Sequence, residues 1–144
     1  MARVLRGIAG TLVLDAQGLV KFATADPHVL LRVDEADNLG GGVVTAASTL
    51  AEVLRGGPRD ARMHRILRRI TVAEISRDVG RRAGELLGAT GLSGHRCTVD
   101  ALIAAVALAQ PRPVILLTSD PDDLSRLTDE PGRRKAERVK IVKV

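Results

Sequence analysis

Aromatic side chains are nearly missing from this chain: Phe22 stands alone among 144 residues, with no tryptophan or tyrosine. The core must therefore be built from Leu, Val, Ile and Ala, and modules that stack nucleic-acid bases on aromatic platforms are disfavoured. Cysteine is just as scarce. Cys97 is the only one, which excludes an internal disulfide and fits a reducing compartment. No apolar run reaches the ~18–20 residues that a membrane span requires. The opening MARVLRGIAGTLVLD lacks the apolar region and cleavage pattern of a signal peptide. There is no low-complexity tract, no internal repeat and no linker long enough to divide the chain. These absences predict a soluble, cytoplasmic protein of one domain, residues 1–144, with no membrane partner.

What is present alternates. TLVLD (11–15), GVVTA (42–46), RITVA (69–73), PVILLTSD (113–120) and VKIVKV (139–144) read as strands. The first and fourth are continuously apolar, as in central parallel strands covered on both faces. Helical patterns lie between them at about 17–24, 26–37, 48–56, 59–68, 76–89, 98–109 and 121–128. The glycines at 40–42 and 56–57 mark turns. Alternating strands and helices predict a three-layer α/β/α fold around a parallel sheet.

In such a fold, ligands bind outside the carboxyl ends of the strands. Asp15 ends the first strand and Asp120 the fourth. Glu52 lies early in the helix after the second strand, and Asp100 opens a helix whose start faces the same edge. Each acid also has an ordinary structural reading. Asp15 can cap the helix after it. Thr49-Leu50-Ala51-Glu52 matches a capping box. Thr98 can cap the helix that carries Asp100. Asp120 before Pro121 looks like a helix cap followed by proline at the first position. Four carboxylates brought together would repel one another, and a hard divalent cation, Mg²⁺ or Mn²⁺, resolves that conflict with oxygen ligands.

The segments LVLDAQGLV, TLAEVLRG, TVDALIAAVAL and LLTSDPDDL, in this order and spacing, resemble PIN-domain ribonucleases, and most closely the VapC-type toxins of toxin–antitoxin pairs. The resemblance runs from about residue 11 to the end, and an acid followed by A-L-I-A-A is its most specific part. It implies that Asp15, Glu52, Asp100 and Asp120 form the acidic quartet that holds Mg²⁺ or Mn²⁺. Thr118 matches the hydroxyl residue before the last acid, and Asp123 a second, weaker acid in that loop. A parallel sheet of about five strands, an RNA substrate, a cognate antitoxin and a homodimer are implied as well. The chain departs from the pattern at Gln17, where the family has Ser or Thr, and in an extension before the first acid that contains Arg3 and Arg6.

His28, His64 and His95 have no metal-ligand spacing and read as surface or capping residues. Cys97 reads as a small hydrophobe. The triple glycine lacks the Lys-Ser/Thr of a phosphate loop. In ARMHRILRRI (61–70), Met63, Ile66, Leu67 and Ile70 form one helical stripe, and Arg62, Arg65, Arg68 and Arg69 cover the other side. That is either a solvated face over a packed stripe, or a wall for a partner helix or RNA phosphates. The tail RRKAERVKIVKV predicts an edge strand guarded by lysines. The leading expectation is a metal-dependent endoribonuclease acting as a toxin. A receiver domain needs an acidic pair after its first strand and a late lysine, whereas this chain has only Asp15 at the first place and Thr118-Ser119-Asp120 at the second; Gln17 breaks the D-x-D of a haloacid-dehalogenase-type phosphatase. A non-catalytic PIN-like module that binds nucleic acid or protein, with acids that only cap helices, is the alternative.

Overall fold

Thr11-Leu12-Val13-Leu14 shows no polar alternation, and it forms a strand, β1 (Thr11–Leu14), in which all four residues are buried. A strand with no exposed face belongs inside a sheet covered on both sides. In the computed structural model, which describes residues 10–144, β1 is the middle of five strands. The others are β2 (Gly42–Ala46), β3 (Thr71–Ala73), β4 (Val114–Thr118) and β5 (Lys140–Lys143). Their order is β3-β2-β1-β4-β5, and every pairing is parallel. Arg3 and Arg6 lie outside the described residues.

Parallel neighbours need crossover connections, and helices supply them. They are α1 (Ala16–Ala23), α2 (Pro27–Asn38), α3 (Leu50–Val53), α4 (Ala61–Leu67), α5 (Arg77–Thr90), α6 (Gly94–Leu108) and α7 (Pro121–Leu127). One face of the sheet is covered by α1, α2 and α4, through Leu19, Phe22, Val29, Val33, Met63 and Ile66 packed on Leu12, Leu14 and Leu117. The other is covered by α5, α6 and α7, through Leu86, Ile103, Val106, Leu124 and Leu127 packed on Val13, Val44 and Leu116. Successive residues of β1 thus enter opposite cores, as the strand period of two requires. Burying each such leucine contributes about 1.5–3 kcal/mol. This is the α/β/α architecture with five parallel strands that the sequence predicts.

Close approach at the start of β1 depends on Gly10. A Cβ there would stand 1.9 Å from the Pro113 carbonyl oxygen, just before β4. One predicted helix is cut sharply short. The pattern at 48–56 becomes a 3₁₀ turn, Ala47–Thr49, followed by the four-residue α3. Gly56 and Gly57, at φ 85° and 90°, then turn the chain toward α4. In α4, Met63 and Ile66 are buried, and Leu67 and Ile70 pack against the same core. The apolar stripe is therefore core, not a wall for a partner. At the far edge, β5 exposes Lys140 and Lys143 as expected. Among the described residues, no helix is long and apolar enough to cross a membrane.

Candidate metal and phosphodiester site

The chain runs from β1 to β2 and β3 on one side of the sheet, then returns to place β4 on the other side of β1. A crevice opens where the strand order reverses, at the carboxyl ends of β1 and β4. Asp15 directly follows β1, and Asp120 stands two residues beyond β4. Glu52 comes from α3, which follows β2, and Asp100 from α6, which leads back toward β4. All four line one cleft of about 220 Å³, together with Gln17, Thr49, Thr118 and Ser119. No Lys or Arg is among its described lining residues.

Proton affinities reflect this crowding. Burial raises the Asp15 pKa, an effect only partly offset by the Thr118 hydroxyl and the Gly18 and Gln17 amides. Burial also raises Glu52, and the charges of Asp100 and Asp15 push it further the same way. Asp100 is raised by burial and then by Asp123, Asp15 and Asp120. Charge thus crosses between elements: Glu52 feels Asp100 and Asp15, Asp100 feels Asp15 and Asp120, and Asp15 feels Asp120.

The capping explanations fail for three of the four acids. Asp15 does cap α1, because its Oδ1 accepts the Gly18 amide at 2.9 Å. Thr49, however, has helical backbone angles and makes no cap hydrogen bond, so the Thr49–Glu52 capping box does not form. A capping box needs extended backbone at its first residue, and the 3₁₀ turn running into α3 denies it. Asp120 occupies the cap position before Pro121, yet its side chain caps nothing. Helix α6 begins at Gly94, not near residue 98, so Thr98 lies in its second turn, where its hydroxyl donates back to the Gly94 carbonyl. Asp100 is then the seventh residue of the helix, too deep to serve its terminus. Cys97, within the part of α6 that precedes residue 98, is buried, with its thiol at Asp123 of α7.

Asp123 does not line the cleft. It lies in the first turn of α7, where the Cys97 thiol donates to its Oδ2 at 3.7 Å, although its charge still reaches Asp100. Thr118 is fully buried, and its hydroxyl accepts the Asp120 amide at 3.1 Å, which fixes the turn that carries Asp120. None of the three histidines lines the cleft. Thr49 is the residue that sequence reasoning mistook. It is 1% exposed, it lines the cleft, and its Oγ1 has no hydrogen-bond partner. Its spacing of three from Glu52 puts both on one helical side, which was the available signal.

The donor set consists of carboxylate and hydroxyl oxygens, the chemistry that Mg²⁺ and Mn²⁺ select. The unpartnered Thr49 hydroxyl and the mutual repulsion of the acids both fit a cation or its bound water. Among the described residues, no three His, Cys, Asp or Glu side chains already stand at metal-ligand spacing. The residues therefore fit such an ion in their donor chemistry, without standing at ligand distances in this structure.

No protein-family model matches the sequence, and no curated protein does. Solved structures do match. A chain of the VapBC2 complex from Rickettsia felis, solved bound to a DNA fragment from its promoter, superposes with a TM-score of 0.67 at 16% identity, covering 93% of this chain and 98% of that one. A chain of a toxin–antitoxin complex from Klebsiella pneumoniae superposes with a TM-score of 0.58 at 18% identity, covering 79% and 90%. This chain shares the PIN-like α/β fold of proteins found in toxin–antitoxin complexes.

Proposed function

We propose that this protein is a metal-dependent endoribonuclease, the toxin of a type II toxin–antitoxin pair, acting in the cytoplasm. The observation that carries the reading is the convergence of Asp15, Glu52, Asp100 and Asp120 on one cleft without a basic residue, at the switch point of the sheet. These four would hold Mg²⁺ or Mn²⁺. When bound, the ion lowers the pKa of a water and neutralises charge on the phosphoryl oxygens. Gly18 holds the Asp15 carboxylate through its amide, and Thr118 holds the Asp120 turn. Both constraints aim carboxylates before any ligand arrives, which lowers the entropy lost on binding. The fold shared with chains of toxin–antitoxin complexes supports a cognate antitoxin as partner, and the family resemblance a homodimer. One observation favours the non-catalytic alternative: the Asp15 carboxylate also serves as a helix cap.

RNA cleavage in Mg²⁺ or Mn²⁺, against an EDTA control, separates the two readings. Asp15→Asn, Glu52→Gln, Asp100→Asn and Asp120→Asn are each expected to lower cleavage by about 100-fold or more with unchanged circular dichroism. Full activity in two of these variants would remove the quartet from the mechanism.

A further inference from the structure

Charge is not spread evenly along this chain. Residues 55–69 hold six of its 22 Lys and Arg but only one of its 17 Asp and Glu, so this stretch carries the whole net charge of +5. The remainder of the chain is balanced. The single acid, Asp60, is 6% exposed and turned inward, accepting the Arg55 and Gly56 amides at 2.9 and 2.7 Å. Two of the arginines have partners: Arg55 donates to the Ala51 and Leu54 carbonyls, and Arg69 lies 5.3 Å over the Phe22 ring. Arg59, Arg62, Arg65 and Arg68 are exposed on and around α4, and none makes an ion pair among the described residues. Arg65 and Arg68 line a shallow groove with Gly57 and His64.

We infer that this arginine face of α4 binds the phosphate backbone of single-stranded RNA outside the acidic cleft, an inference that rests on the proposed nuclease reading and supplies its substrate-holding surface. Three observations favour a nucleic-acid backbone over a protein. Every base in the stretch except His64 is arginine, whose fork matches phosphate oxygens two at a time. The apolar side of α4 is spent in the core, through Met63 and Ile66, so the exposed face offers no apolar anchor of the kind protein interfaces need. The face also has no Phe, Tyr or Trp, the rings that anchor protein interfaces, so what it offers a partner is phosphate contact. Placement agrees. The helix starts from the same rim, joined to α3 and its Glu52 by residues 54–60, which end in a 3₁₀ turn, Pro58–Asp60.

Fluorescence anisotropy with a labelled 20-nucleotide oligouridylate tests the inference, in EDTA so that no cleavage occurs, over 50–200 mM salt. Each lost phosphate contact on a single strand should flatten the slope of log affinity against log salt by about 0.7. Arg62→Gln/Arg65→Gln/Arg68→Gln should therefore lower the slope by about 2 and weaken binding roughly tenfold or more at 50 mM salt. Arg65→Gln alone, a milder change should the triple variant misfold, should lower it by about 0.7. Arg81→Gln/Arg82→Gln, which removes exposed charge on α5, should leave both nearly unchanged. Equal losses in the α4 and α5 variants would overturn the inference. So would unchanged binding in the α4 variants, or polyglutamate competing as well as RNA, which would assign the face to an acidic protein. A protein that binds RNA through α4 but never cleaves it would refute the nuclease reading and leave this one standing.

Discussion

Asp100 lies seven residues into α6, beyond the turn whose free amides favour an anion, and its carboxylate has no hydrogen-bond or ion-pair partner among the described residues. Burial and three neighbouring acids raise its pKa. The folded state therefore holds a proton there more tightly than the unfolded chain does. Its contribution to stability is present below about pH 4 and is lost as pH rises through the raised folded value. Asp100→Asn removes the penalty, so it should raise the melting temperature in EDTA at pH 7. Two carboxylates ~6 Å apart repel by roughly 2–3 kcal/mol at an effective dielectric near 20, and solvent screening leaves about 1 kcal/mol, or about 2–4 °C. The gain should vanish below about pH 4, where the wild-type acid is protonated. Saturating Mn²⁺ should stabilise the wild type more than the variant. A variant that melts lower in EDTA, with an unchanged response to Mn²⁺, would make Asp100 an ordinary helix residue.

Among the elements, the joint between α3 and α4 depends on Asp60. Its carboxylate gathers the Arg55 and Gly56 amides where two glycines at positive φ leave the backbone free to wander. Those amides hold its pKa down, the opposite of Asp100. Its stabilisation is present above about pH 4 and lost as pH falls through the folded value. Asp60→Ala should lower the melting temperature at pH 7, with a difference that shrinks on acidification; melts at both pH values would show it. An equal loss at every pH would mean that the carboxylate charge plays no part. Such joints are also where sequence reading stops. Strand periods and long apolar runs located all five strands and the rim where the acids meet, because burial on both faces leaves a plain pattern. The start of α6 and the brevity of α3 were not legible. Cys97 in the early part of α6 meets Asp123 of α7, and the 3₁₀ backbone at Thr49 follows directly on β2. Neither shows in the local sequence pattern. The pairing of Asp123 with Cys97 was hidden for the same reason, since only the fold brings the two together.

At the scale of the whole molecule, an acidic cleft and a basic helix occupy one otherwise balanced body. A nuclease with this site should arrest growth when expressed alone and be relieved by a co-encoded antitoxin. Growth curves with and without the partner decide that point, and harmless expression of soluble, active enzyme would refute the toxin role. The topology adds a consequence in time. Thr11 pairs with Val114, about a hundred positions later, so the central pair of strands closes the longest loop of any strand pairing in the sheet. Contacts so distant along the chain make folding slow, on the order of milliseconds to seconds. During synthesis the chain emerges from its start, and β1 can join β2 long before β4 exists. Asp15 and Glu52 are then in place, while Asp100 and Asp120 are still to come. The four acids can meet only once Asp120 has been added, so under the proposed nuclease reading a shorter nascent chain would lack a finished cleft.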